Sequence, residues 1–178
     1  MKISTKTMVS VGMFAAVLGV LSVLTIPMPS GVPLTLQTFA MALCGYVLGA
    51  KRGTAAVALY LLLGAVGVPV FAGMTGGVSH FVGPTGGFLW GFLFLVALCG
   101  FAKEQKSPAV RILLSLFGLA LCHLLGVVQY SVVAATTPAT AFLTVSLPYL
   151  LKDVLSAVGA YAVALPLQRA LRRERATA

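Results

Sequence analysis

A single acidic residue, Asp153, stands inside the apolar stretch Pro148-Tyr-Leu-Leu-Lys-Asp-Val-Leu-Ser156, with Lys152 beside it. A charge at membrane depth costs roughly 2.5–3.5 kcal/mol on insertion scales, so such residues face a cavity or a partner rather than lipid. A helix advances about 100° per residue, which brings Tyr149, Lys152, Asp153 and Ser156 within about 100° of arc. That face offers a phenol, a cation, a carboxylate and a hydroxyl, which is the chemistry of a small-molecule site. The competing reading is an internal Lys–Asp pair that ties helices together. Neighbours in sequence do not face each other well on a helix, so each is expected to find a further partner.

Other polar residues are few. Gln37, in Gly31-Val-Pro-Leu-Thr-Leu-Gln-Thr38, carries one acceptor and two donors and suits a urea, an amide or a carboxylate. A helix-capping role is the alternative. His80 sits in the glycine-rich stretch Gly73-Met-Thr-Gly-Gly-Val-Ser-His80, either solvated or touching a ligand. His123 and Gln129 lie within an apolar run, where hydrogen bonds across helices are the expected use. Cys44, Cys99 and Cys122 are far apart with no metal-ligand spacing and read as small buried hydrophobes. No G-x-x-x-x-G-K-[ST] phosphate loop, H-E-x-x-H or G-x-S-x-G occurs, and three acids in the whole chain supply little for acid–base or metal chemistry. No catalytic residue is assigned, and the chain reads as a non-enzyme.

The elements that must hold these residues are membrane helices. Of 178 residues, 60% are hydrophobic and 8% charged. Mean hydropathy is +1.06. A soluble domain carries about 25% charged residues. The composition therefore implies an all-α polytopic membrane protein, one compact helical bundle over residues 1–178 with no separate soluble domain. Six apolar segments are visible, roughly Met8–Ile26, Leu36–Leu48, Thr54–Val70, Gly86–Ala102, Ala109–Ala135 and Val145–Leu167. A span needs about 20 apolar residues, so the short second segment must be tilted or shielded inside the bundle.

Six spans put both termini on one side. The head, Ala50–Gly53, Lys103–Pro108 with Arg111 just beyond it, and the tail hold 11 of the 12 Lys and Arg residues; Lys152 is the exception. The connections Pro27–Thr35, Phe71–Thr85 and Thr136–Ser146 hold none. The positive-inside rule then sets both termini in the cytoplasm and the three uncharged connections outside. It also explains the net charge of +9 without nucleic acid, since each basic cluster abuts an apolar run. The uncharged connections are rich in proline, which fixes φ, and in glycine, which permits close backbone approach. Their position suits a lid over a cavity served by Asp153. Gly12, Ala16 and Gly19 repeat about one turn apart, a spacing that lets another helix approach.

The segments Gly31-Val-Pro-Leu-Thr-Leu-Gln-Thr-Phe39, Gly64-Ala-Val-Gly-Val-Pro-Val-Phe-Ala-Gly73 and Gly83-Pro-Thr-Gly-Gly-Phe-Leu-Trp-Gly-Phe92 closely resemble the BioY family. Its members are the biotin-binding S components of energy-coupling-factor (ECF) transporters. The resemblance runs from about Met8 to about Leu167. It implies six transmembrane helices in the cytoplasmic membrane of a prokaryote. It also implies a biotin cavity near the outer face, no cofactor, and work with a transmembrane T component and two ATPases. The family's first helix carries a small-xxx-small motif for the T component, matched here by Gly12 and Ala16. Its sixth helix carries an Asp followed three residues later by a Lys. Asp153 matches the first, but Ser156 stands at the second. Lys152, one turn before Ser156, is the expected substitute for the missing cation, with backbone N–H groups or His80 as the fallback for the carboxylate. The remaining readings are an S component or solitary facilitator for another small vitamin or carboxylate, and a membrane enzyme or structural subunit.

Overall fold

The computed structural model describes residues 4–28 and 32–177, with side chains through residue 170. Lys2, Gly31 and the side chains of Arg172, Arg173 and Arg175 lie outside the described residues. The chain is built from helices: α1 (Thr5–Val23), α2 (Gln37–Leu48), α3 (Ala50–Ala65), α4 (Ser79–Val82), α5 (Gly86–Ala102), α6 (Pro108–Val133), α7 (Pro138–Val145) and α8 (Leu147–Thr177). Six of them coincide with the six apolar segments. Three segments, Thr5–Val23, Pro108–Val133 and Leu147–Ala170, are long and apolar enough to cross a membrane, while Gln37–Leu48 and Gly86–Ala102 are shorter apolar helices. Outward faces stay apolar, as at Phe94, Phe117, Leu124 and Leu151. An apolar exterior of this extent fits lipid rather than water.

The short α2 is shielded, as one of the two expectations required. Its 12 residues reach only about 18 Å at 1.5 Å per residue. Nine of them are buried, among them Met41, Cys44 and Tyr46. Small residues make this possible. A Cβ on Gly45 would stand 2.5 Å from the carbonyl oxygen of Val96 in α5. Along α5, Cβ atoms on Gly87 and Gly91 would fall 2.1 Å from Leu125 O and 2.6 Å from Cys122 Cα of α6. The α2–α5 and α5–α6 backbones are thus in near contact, the arrangement that small residues permit within membranes.

One expected loop is absent. Ala50–Gly53 is the first turn of α3, and the chain reverses at the single residue Gly49, whose φ of 85° glycine adopts without Cβ strain. The uncharged connections carry structure instead. Thr25–Ile26 (β1) pairs antiparallel with Leu34–Thr35 (β2), matching Thr25 to Thr35 and Ile26 to Leu34. The third connection contains α7, whose N-cap Thr137 accepts from the amide of Thr140 at 3.2 Å.

The small-residue stripe of α1 divides. Gly19 is buried, with Val70 Cγ1 3.3 Å from where its Cβ would be. Gly12 and Ala16 face outward, and a Cβ on Gly12 would meet nothing within 4 Å.

Candidate functional site

The two ends of α2 differ in kind. At its C-terminus, orphan carbonyls are capped by side chains: Lys103 Nζ donates to Val47 O at 2.6 Å and Gln168 Nε2 to Tyr46 O at 2.7 Å. This is the basic end of the bundle. At its N-terminus, Gln37 and Thr38 open into a cavity of about 490 Å³. Three helices turn one face each toward it at helical spacing: Phe88, Leu89 and Phe92 from α5, Leu119, Cys122 and His123 from α6, and Tyr149, Lys152 and Asp153 from α8. All three uncharged connections contribute, with Val32, Pro33 and Thr35 from the first, Phe71, Gly73, Thr75 and His80 from the second, and Val145 from the third.

Asp153 is 6% exposed, so its charge requires partners. Lys152 Nζ pairs with Oδ1, and His123 Nε2 lies 3.2 Å from Oδ2. On its other side, His123 Nδ1 is 2.8 Å from Ser146 Oγ. In a neutral ring the arrangement that satisfies both contacts has the Ser146 hydroxyl donating to Nδ1 and Nε2–H donating to Asp153. The chain Ser146–His123–Asp153–Lys152 therefore joins α6 and α8 across the end of α7. Lys152 also donates to Thr35 O at 3.0 Å. An ammonium has three donors, which leaves one for a ligand among the described residues.

Gln37 is held from two sides. Its Nε2 donates to the Tyr60 hydroxyl at 3.0 Å, and its Oε1 accepts from the Thr35 hydroxyl at 3.1 Å. One amide hydrogen remains for a ligand carbonyl. Tyr149 donates its hydroxyl to Val32 O, so its ring wall is presented to the cavity while its polar end is used on the first connection. His80 stands edge-on to Phe71, ring centroids 5.5 Å apart.

Of the residues expected from sequence, Gln37, His80, Tyr149, Lys152 and Asp153 meet in this one cavity. Ser156 does not reach it: it lies one turn further along α8, half-buried, outside the lining. Adjacent Lys152 and Asp153 do touch, contrary to the expectation for neighbours on a helix, because a long flexible lysine can fold back on its neighbour; each has a further partner as well. Gln129 bonds across elements as expected, donating to both Phe81 O and Gly83 O at 2.8 Å. His123 also bonds across elements, but its partner is the cavity carboxylate, a role beyond the packing expected of it. The only sequence signal was a rare histidine in an apolar run. No group of three or more His, Cys, Asp or Glu side chains suited to a metal occurs among the described residues.

The sequence pattern of the BioY family matches residues 1–173. The biotin transporter BioY of Thermotoga maritima is 44% identical over 123 residues, covering 68% of this chain and 72% of that protein. The probable biotin transporter BioY of Pyrococcus horikoshii is 39% identical over 137 residues, covering 77% and 81%. Among solved structures, the crystal structure at 2.1 Å of the S-component for biotin from an ECF-type ABC transporter aligns with a TM-score of 0.83 and 27% identity. That alignment covers 94% of this chain and 95% of the other. The chain belongs to the BioY family.

Proposed function

We propose that this chain is the membrane-embedded, biotin-binding subunit of an ECF-type transporter, moving its substrate without changing a covalent bond. The observation that carries this is the convergence of Asp153, Lys152, His123 and Gln37 on one cavity with aromatic walls, in a fold shared with a biotin S-component. Biotin offers two ureido N–H donors, a ureido carbonyl, an apolar bicycle and a carboxylate. Asp153 accepts a ureido N–H, the free amide hydrogen of Gln37 meets the carbonyl, and Phe88, Phe92 and Tyr149 cover the apolar rings. Leaving no buried polar group unpaired is what makes such binding tight.

The carboxylate has two readings. In the first, Lys152 swings on its stem to supply the cation that Ser156 lacks. The contact between Lys152 and Asp153 favours a second. Carboxylate and urea lie at opposite ends of extended biotin and cannot both occupy one pole. The Lys–Asp pair then reads the urea together, donor beside acceptor, and His80 with the glycine-rich connection receives the carboxylate.

Around this site, the six apolar segments support six spans, the charge asymmetry supports cytoplasmic termini, and membership of the BioY family supports the cytoplasmic membrane of a prokaryote. Residues 1–178 act as one transmembrane domain. A T component and two ATPases supply the energy, with the outward Gly12–Ala16 stripe as the T-component contact. A solitary facilitator is separated from this by co-purification with those partners.

Calorimetry of the purified protein against biotin and desthiobiotin tests the function; no heat with either would sink it. Asp153→Asn is expected to weaken biotin at least about tenfold, in line with losing a charged hydrogen bond. Comparing biotin with biotin amide then separates the two carboxylate readings. Under the first, Lys152→Ala selectively weakens biotin. Under the second, His80→Ala does so, while Lys152→Ala weakens both ligands alike.

A further inference from the structure

At the basic end, a second cleft of about 160 Å³ opens between the start of α6 and the end of α8, lined by Arg111, Leu165, Gln168 and Arg169. We propose that it is a seat for the phosphate of an anionic phospholipid headgroup.

The Arg111 guanidinium is held in place before any ligand arrives. Its Nε donates to Gln105 O at 2.8 Å, and its Cζ sits 5.9 Å from the Tyr161 ring centroid. Its own carbonyl accepts from the Tyr46 hydroxyl at 3.2 Å. Nε is therefore used internally, and the terminal nitrogens of the fork have no hydrogen-bond partner among the described residues. A planar guanidinium presented this way matches two phosphate oxygens. Arg169 adds a second cation on the facing helix. Neither has an ion-pair partner among the described residues, where every ion pair involves Asp153, near the start of α8.

Lipid is favoured as the source of the phosphate by where the cleft lies. Arg111 is in the first turn of one span-length helix, and Arg169 is where the apolar run of α8 gives way to its basic tail, the depth of a headgroup. Exposed apolar side chains continue from both, Val110 and Leu113 on α6 and Val163 and Leu167 on α8, where acyl chains would lie. Basic pockets between membrane helices recognise anionic headgroups by this combination.

The test is native mass spectrometry of the full chain from neutral detergent, with phosphatidylglycerol and phosphatidylcholine of the same acyl chains. Phosphatidylglycerol is expected to be retained preferentially, by roughly fivefold for each cation engaged. Arg111→Gln with Arg169→Gln should bring the two lipids to parity. The control Lys51→Gln with Arg52→Gln, which removes the same charge elsewhere at this end, should keep the preference. Parity in the unaltered chain, or equal loss in both double variants, would overturn the site. Displacement of phosphatidylglycerol by equimolar inorganic phosphate would also overturn it, since the ligand would then be a free anion. If the double variant melts far below the parent, the exposed single substitution Arg169→Gln carries the test, with a roughly fivefold loss expected and no loss refuting it.

Discussion

The first and second uncharged connections both cover the cavity, but they are fastened by different physics. The second is plugged. Phe71, 2% exposed, enters a socket formed by Tyr60, His80, Phe81 and the bare backbone of Gly64, where a Cβ would stand 2.0 Å from the ring. Gln129 adds two hydrogen bonds to the same segment. The first connection is tied by its backbone, through Tyr149 to Val32 O, Lys152 to Thr35 O, and a two-residue ladder. Burying a Phe contributes about 1.5–3 kcal/mol, and ring pairs a further 0.5–1.5. A hydrogen bond contributes about 0.5–1.5 net. The second connection is therefore part of the scaffold, and the first is the one whose release is inexpensive. Two of its ties come from residues that line the cavity, so ligand contact and the position of this connection are coupled through α8.

Three substitutions can break the contrast, and a fourth lies outside it. Phe71→Ala removes the plug and should cost about 3–5 kcal/mol, read as a drop in thermal midpoint, with biotin affinity falling alongside. Gln129→Ala removes the side-chain donor from Phe81 O and Gly83 O, of which Gly83 O keeps the Gly86 amide, and should cost about 1–3 kcal/mol by the same measurement. Tyr149→Phe keeps the ring and removes one tie, so about 1 kcal/mol is at stake. It should appear mainly as faster biotin dissociation with the melting point little changed. A Tyr149→Phe melting loss as large as that of Phe71→Ala would abolish the distinction between plug and tie. Gly12→Leu lies outside both connections. It should leave biotin affinity within about 0.5 kcal/mol while lowering uptake in cells, and a binding loss instead would place that stripe inside the fold.

Much of this architecture is legible in the chain itself, for reasons particular residues make plain. Long apolar segments can satisfy their backbone in lipid only as helices, so the segments around Met8, Ala109 and Val145 announced α1, α6 and α8. Asp153 announced a cavity because an unpartnered carboxylate among Leu and Val side chains is too costly to keep. Gly12 and Gly19 share one face of α1, seven residues apart, yet only Gly19 is covered, because burial depends on what packs against each level of the helix. Ala50–Gly53 read as a loop because of its charges, whereas Gly49 alone makes the turn.

Composition, charge asymmetry and the lone intramembrane acid are local properties, and they determined by themselves that this is a helical membrane protein with a polar site toward its uncharged end. Which residues complete that site was decided only by tertiary structure. His123 is 30 residues from Asp153, and Thr35 is 117 residues from Lys152 in a contact of 3.0 Å. Lys152 reaches the cavity and Ser156, one turn further along the same stripe, does not; how deep the cavity extends along α8 is set by its packing against α2 and α6. That depth is fixed by side chains remote in sequence, and no local pattern encodes it.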